Sequence, residues 1–259
     1  ESNPSPEQKR ELGGGGRLTS SERTSAPGRA SAPERVPGPG RVSAPGRIPG
    51  PSFPWSELPD TAEIEPQPLA TSFFHRPAEK VARDLLGCRI RSALGGKTTE
   101  GVVVETEAYI GPHDPASHAA ERIGRTARNE AMFGPPGTAY VYRSYGIHWC
   151  LNLVTGPKDY PSAVLVRALD PVRGQSTMAT RREGRKPLCA GPGRLTQALG
   201  VTGEANGHDL RLAPLQVFSG WTLPEARVGI SGRIGIREAV DWPLRFFLKG
   251  HPEVSGTSR

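Results

Sequence analysis

The segment 102–109 ends an apolar run in two carboxylates and an aromatic ring. Its sequence is Val-Val-Val-Glu-Thr-Glu-Ala-Tyr, and so short a β-branched run predicts a strand rather than a helix. Because side chains alternate along a strand, Val103, Glu105, Glu107 and Tyr109 should share one face. Paired carboxylates can perform acid–base chemistry. The alternative is that the strand ends in solvent and the carboxylates are its hydrated end.

Aromatic and basic residues form a second set of candidates. The segment 110–137 contains eight Gly or Pro residues, too many for a long regular element, and a long ordered loop in a compact domain is usually functional. It carries His118 and several arginines. Tyr145-Gly146 lies between two β-rich runs and predicts a hairpin with Tyr145 exposed at its tip. Aromatic rings beside positive charge can hold unstacked bases and phosphates.

Several site types have no signal in the chain. There is no phosphate-binding loop, no His/Cys set with metal-ligand spacing and no nucleophile elbow, so we expect neither a metal nor a cofactor. Three cysteines stand far apart, which favours a reducing compartment. No signal-peptide core or membrane-length apolar run is present. We therefore expect an intracellular protein without a membrane partner.

Composition divides the chain into a tail and one domain. Residues 1–54 hold 10 of the 27 prolines and 9 of the 32 glycines, and such a segment cannot bury enough apolar surface to offset its ordering entropy. We predict a disordered Pro/Gly/Arg-rich tail and linker over 1–70 and a single domain over 71–259. The net charge of +7 permits a polyanionic partner without proving one.

The predicted elements favour an α+β fold. They comprise short helices and a larger number of strands, without regular βαβ alternation, so we expect one largely antiparallel curved sheet with a protruding β-hairpin. Helices are predicted over 77–86 and 191–200. Strands are predicted at 88–91 and 101–107, on both sides of Tyr145-Gly146, at 162–169 (closed by Asp170-Pro171), and at 210–218, 226–230 and 244–248.

Many short matches in one order resemble the alkyladenine (3-methyladenine) DNA glycosylase family, from about Phe73 to the C-terminus. They are Glu105-Thr-Glu-Ala-Tyr109, Gly111-Pro112, Asp114, His118, Thr126-x-Arg128-Asn129, Met132-Phe133, Pro136-Gly137-Thr138, Tyr140-Val-Tyr142, Tyr145-Gly146, Cys150-x-Asn152, Arg167-Ala168, Cys189-Ala-Gly-Pro-Gly-Arg-Leu195, Leu244-Arg-Phe246 and Gly250-His-Pro252. No single motif is decisive, but this many matches in order are highly specific.

The resemblance implies roles for seven residues. Glu107 would be the general base that activates water, and Arg167, the second catalytic residue, would hold the catalytic water or the backbone in place. The pocket for the extruded base would include Tyr109, His118 and Tyr142, while Asn152 at its floor would exclude guanine. Tyr145 would intercalate where the base has left the stack. Glu105 receives no role.

The resemblance also implies the reaction and its setting. The protein would act as a monomer on double-stranded DNA and excise alkylated or deaminated purines, leaving an abasic site. Candidate bases are 3-methyladenine, 7-methylguanine, hypoxanthine and ethenoadenine. The enzyme would be monofunctional, because no lysine occupies the matched pocket positions to form a Schiff base. It would work in a bacterial cytoplasm, at the nucleoid, or in a nucleus if the source is eukaryotic.

Two other functions stay open at this stage. A non-catalytic nucleic-acid-binding module would keep the aromatic platform and bind duplexes without releasing a base. A carbohydrate O-glycosidase is prompted by the carboxylate pair, whose Cα spacing of roughly 7 Å along a strand lies within the range for inverting enzymes. Single residues also have structural alternatives. Tyr109 and Tyr142 could be ordinary strand aromatics, His118 a hydrogen-bonded loop histidine, and Asn152 a buried amide.

Overall fold

A computed structural model describes residues 66–255, and the predicted disordered tail lies largely outside this range. The helices in the described part are α1 (Thr71–Phe74), α2 (Ala78–Asp84), α3 (Gln175–Arg181) and α4 (Pro192–Leu199). The strands there are β1 (Arg89–Ser92), β2 (Thr99–Tyr109), β3 (Ala139–Ser144), β4 (His148–Thr155), β5 (Ser162–Arg173), β6 (Leu215–Phe218), β7 (Val228–Ser231) and β8 (Arg245–Leu248). No helix within 66–255 is long and apolar enough to cross a membrane.

The described strands form one antiparallel sheet with β2 at its centre. The sheet order is β3-β4-β5-β2-β1-β6, and β8 pairs with both β2 and β7. Along one edge of β2, residues 99–102 pair with β1 and residues 105–107 pair with β8, while β5 covers the other edge. Register shifts flank Glu105, and such irregularities bend a sheet. The predicted α+β fold, with its curved sheet, few short helices and protruding hairpin, is confirmed.

The two faces of the sheet have different chemistry. Val104 and Ala108 face the main core with apolar residues of β3, β4 and β5, and the Thr106 hydroxyl donates to the Ala82 carbonyl of α2 at 2.8 Å. Glu105, Glu107 and Tyr109 lie on the opposite face, as strand alternation predicts. Val103 differs from the prediction, because it joins the main core just before the register shift.

Some element boundaries differ from the predictions. β5 does not end at Asp170-Pro171 but extends to Arg173, because Pro171 lies beside a register shift opposite Gly101, where its missing N–H is tolerated. The strand predicted over 210–218 is only Leu215–Phe218. Helices α1 and α3 were not predicted. They are one to two turns long, which is too short to produce a recognisable helical repeat of apolar residues in the sequence.

A buried ion pair fixes the long loop that follows β2. This loop is irregular apart from a 3₁₀ turn, as its glycines and prolines predict. Arg233, from the segment after β7, donates to both carboxylate oxygens of Asp114 and also to the Ala108 carbonyl at 3.0 Å. Both side chains of the pair are fully buried. We refer to this ion pair as the loop latch, because it joins the segments after β2 and β7.

Breaking the loop latch should destabilise the fold. In Asp114→Asn the Arg233 charge stays buried without its counterion, so we expect a loss of about 3–5 kcal/mol in the free energy of unfolding, measured by urea denaturation. The control is Glu238→Gln, which breaks an exposed ion pair with Arg122 and should cost less than about 1 kcal/mol. Equal losses in the two variants would show that the latch does not hold the loops.

Candidate active site

A cavity of about 790 Å³ opens on the polar face of the sheet. Its walls come from β2, β3, β4 and β5, from the loop after β2 and from the segment 234–238. Six of the seven residues predicted for the site line it: Tyr109, His118, Tyr142, Tyr145, Asn152 and Arg167. The seventh, Glu107, has no exposed surface but contacts Tyr109, Arg167 and Ile234, which line the cavity.

Three aromatic rings form one side of the cavity. His118 meets the Tyr142 ring edge to face at 4.3 Å, and its Nδ1 is 2.9 Å from the Tyr140 hydroxyl. Tyr140 and Tyr142 alternate onto the same face of β3 and stack at 5.4 Å between centroids. Burial lowers the pKa of His118, and the charge of Arg128 lowers it further, so this imidazole is neutral near pH 7. The result is a neutral aromatic surface suited to a flat ring.

Glu107 is the hydrogen-bond acceptor at the base of the site. Its Oε1 accepts from the Ile234 amide at 2.7 Å and lies 3.1 Å from Arg167 Nη1. Its Oε2 accepts from the Tyr109 hydroxyl at 3.0 Å. A carboxylate has about four acceptor positions, so one position on Oε2 is not used by the protein groups that contact Glu107.

Burial and the groups around Glu107 shift the pKa of its carboxyl in opposite directions. Burial raises the pKa of its carboxyl above the ordinary value, and the charge of Glu105 raises it further. Arg167, the Ile234 amide and the Tyr109 hydroxyl lower it without cancelling the increase. A carboxylate with a raised pKa is a stronger proton acceptor than an exposed glutamate, which suits a general base. Burial and the Glu107 charge also raise the pKa of Tyr109, so its hydroxyl remains a donor.

Glu105 is equally buried but holds other side chains. Its Oε1 accepts from Arg167 Nε at 3.1 Å and from Arg245 Nε at 2.7 Å. Its Oε2 accepts from the Ser255 amide at 2.7 Å and from the Ser255 hydroxyl at 2.6 Å. The alternative that the two carboxylates are a hydrated strand end is therefore wrong, because arginines from β5 and β8 bury and compensate them. With all of its acceptor positions occupied, Glu105 cannot act as the second carboxylate of an O-glycosidase.

Arg167 bridges the two carboxylates. Burial lowers its pKa, but the charges of Glu107 and Glu105 more than offset this, so the guanidinium is fixed in its charged form. Asn152 lies on the next strand, and its Nδ2 donates to the Tyr140 carbonyl at 3.0 Å, which fixes the amide at the cavity wall. Both residues are thus brought together with Glu107 on one face of the sheet.

Tyr145 occupies the hairpin tip. Its side chain is 86% exposed, and its backbone has a φ of 49°. Gly146 follows with a φ of 70°, and the Ile147 amide donates to the Ser144 carbonyl, as in a type I′ turn. For an L-residue such as tyrosine, the left-handed backbone conformation costs about 1–2 kcal/mol relative to the right-handed one. Neither burial nor backbone preference explains this residue, and strain of this kind clusters at functional sites.

The structure adds site residues that sequence reasoning missed. Strand alternation could have found Tyr140, which lies two residues before Tyr142 on the same face. No periodic pattern marks Ile234, Arg245 or Ser255, because Ile234 and Ser255 belong to irregular segments and Ile234 acts through its backbone. Within residues 66–255, no group of three His, Cys, Asp or Glu side chains is placed to hold a metal ion.

Comparisons with known proteins indicate one family for this chain. The family model described as methylpurine-DNA glycosylase matches residues 72–252. A relative from Methanoculleus marisnigri is 49% identical over 194 residues, covering 72% of this chain and 98% of the relative. One from Agrobacterium fabrum is 50% identical over 188 residues, covering 71% and 90%. Both carry the provisional name 3-methyladenine DNA glycosylase. The resemblance found in the sequence is confirmed, and the chain belongs to the methylpurine-DNA glycosylase family.

Proposed function

We propose that this protein flips damaged purines out of duplex DNA and hydrolyses their N-glycosidic bond, leaving an abasic site. One observation carries the proposal: a buried carboxylate with one acceptor position not used by protein groups contacts the residues that line an aromatic-walled cavity. An extruded purine needs a flat apolar slot, and hydrolysis of its bond to the sugar needs a positioned base.

Glu107 would act on the attacking water. The water oxygen forms a bond to the sugar C1′ while the C1′–N bond breaks, and the bonding electron pair leaves with the base. The water proton passes to Glu107 Oε2, beside the hydrogen bond from Tyr109. Before that transfer, the negative carboxylate stabilises the positive charge that develops on the sugar. Arg167 keeps the other oxygen in place.

The aromatic residues would select the base. Tyr109, His118 and Tyr142 would contact the extruded ring, and a purine that carries a positive charge after alkylation gains from contact with aromatic faces. Asn152 would clash with an exocyclic 2-amino group and so disfavour undamaged guanine. We propose 3-methyladenine, 7-methylguanine, hypoxanthine and ethenoadenine as the candidate bases.

The remaining features fit a monofunctional enzyme. No lysine lines the cavity in the described part of the chain, so a Schiff-base lyase step has no nucleophile there. The cavity is complete within one chain, which supports action as a monomer. Double-stranded DNA with damaged purines would be the partner, and the site of action would be the bacterial nucleoid or, in a eukaryote, the nucleus.

A base-release assay tests the proposal directly. Under single-turnover conditions, we expect release from duplexes that contain hypoxanthine or ethenoadenine and from methylated DNA. The abasic strand should stay intact until alkali is added, because no lyase step occurs. An undamaged duplex is the control. Duplex binding without release from any of these substrates would instead favour a non-catalytic nucleic-acid-binding module and would contradict the proposal.

Tyr145 should matter most when the base must be extruded from a stack. Stacking of an aromatic residue on a base is worth about 1–3 kcal/mol, so Tyr145→Ala should slow release from a duplex roughly 5- to 150-fold. Release from a single strand that carries the same lesion should change much less, because extrusion of its base leaves no gap in a duplex for Tyr145 to fill.

The matched control for this test is Leu212→Ala. Leu212 is also an exposed apolar residue, but it does not line the cavity. This control should release the base as fast as the unaltered protein on both substrates. Equal slowing of Tyr145→Ala on duplex and single strand would argue against intercalation.

A further inference from the structure

Glu105 stands between the C-terminal segment and the proposed catalytic pair. One of its oxygens accepts from Arg167 and Arg245, and the other accepts from the backbone and hydroxyl of Ser255. Arg245 donates in turn to the Ser231 hydroxyl and to the Ser255 carbonyl. Both Glu105 and Arg245 are essentially without exposed surface. We call Glu105, Arg245 and Ser255 the anchor cluster.

We infer that Glu105 is a positioning residue for the reaction, which holds Arg167 against Glu107 and is itself held by Ser255. This inference rests on the proposed function. It adds the C-terminal residues to the machinery of the site, although Ser255 lies beyond the residues 72–252 that match the family model.

The geometry of Arg167 carries the argument. Its guanidinium uses Nε for Glu105 at 3.1 Å and Nη1 for Glu107 at 3.1 Å. A guanidinium is planar, so fixing Nε also fixes the direction of Nη1. Without Glu105, Arg167 would retain only the contact with Glu107 among its carboxylate partners and could turn within the cavity wall. A displacement of about 1 Å at a catalytic group can cost roughly a hundred-fold in rate.

Ser255 fixes the orientation of Glu105. Two donors on Oε2 and two on Oε1 leave the carboxylate a single arrangement that satisfies all of them. The two negative charges of Glu105 and Glu107 are matched by the positive charges of Arg167 and Arg245. Removal of any one of these four charges therefore changes the electrostatic field at the other three.

The charge of Glu105 also acts on Glu107 directly. The titratable and charged groups that face Glu107 are Glu105 and Tyr109 on its own strand, Arg167 on β5, Arg245 opposite it on β8, Tyr142 on β3 and Cys150 on β4. Among these, Glu105 raises the pKa of Glu107, whereas Arg167 lowers it. The base is active when it is ionised, so the rate of base release rises with pH through this pKa. In Glu105→Gln the loss of the Glu105 charge lowers the pKa of Glu107, but the released Arg167 no longer holds that pKa down. Because the charge of Arg167 affects this pKa more than the charge of Glu105 does, the rise should move to higher pH.

The test compares Glu105→Gln with Glu100→Gln. Glu100 lies on the same strand, is also buried and also accepts from two arginines, Arg89 and Arg91, but it is remote from the cavity. In single-turnover release from a hypoxanthine duplex, we expect Glu105→Gln to be roughly 10- to 100-fold slower near pH 7, with its pH rise displaced upwards because Arg167 is no longer held against Glu107. Glu100→Gln should keep the rate and the pH profile of the unaltered protein.

Serine variants keep the test decisive if Glu105→Gln does not fold. Ser255→Ala should slow release, Ser255→Thr should restore it because the hydroxyl is kept, and Ser176→Ala, an exposed serine on α3, should change nothing. Equal rates for Ser255→Ala and Ser255→Thr would overturn the inference. So would a slower Glu105→Gln whose pH rise is unshifted or moves to lower pH, because Arg167 would then still be held against Glu107 without Glu105. Absence of release by the unaltered protein would instead overturn the proposed function.

Discussion

The burial of two carboxylates on one face of β2 governs the rest of the site. Glu105 and Glu107 are both 0% exposed, and their charges are compensated by Arg167 from β5 and Arg245 from β8. Removing such charges from water is costly, and apolar residues of similar size often give equal or greater stability. The arrangement is therefore better explained by what the carboxylates do than by the stability they contribute.

The sheet makes this arrangement possible through its topology. β2 is paired on both edges where the carboxylates lie, with β5 on one side and β8 on the other, so each neighbouring strand can supply an arginine. The apolar face carries the main core, which leaves the other face free for the cavity. The loop latch then brings the segment after β7 to the end of β2, where the Ile234 amide reaches Glu107.

Local sequence patterns predicted the parts of the site that depend on a single element. The β-branched run placed Glu105, Glu107 and Tyr109 on one face, and Tyr145-Gly146 correctly indicated an exposed hairpin tip. The burial of the two glutamates could not be predicted in this way, because it depends on arginines that lie 60 or more residues away in the chain. Ile234 contributes a backbone amide, and Ser255 follows the last strand, so neither residue type signals its role.

We propose Glu107 as the base that drives hydrolysis in an otherwise preformed site. The most direct measurement is single-turnover base release by Glu107→Gln, together with its affinity for the same lesion duplex and with Glu100→Gln as the control. Glutamine keeps the size of the side chain but cannot take up the water proton, so we predict a loss of about a hundred-fold or more in rate. Affinity for the duplex should be retained. Base release at the unaltered rate by a folded Glu107→Gln variant would contradict the account.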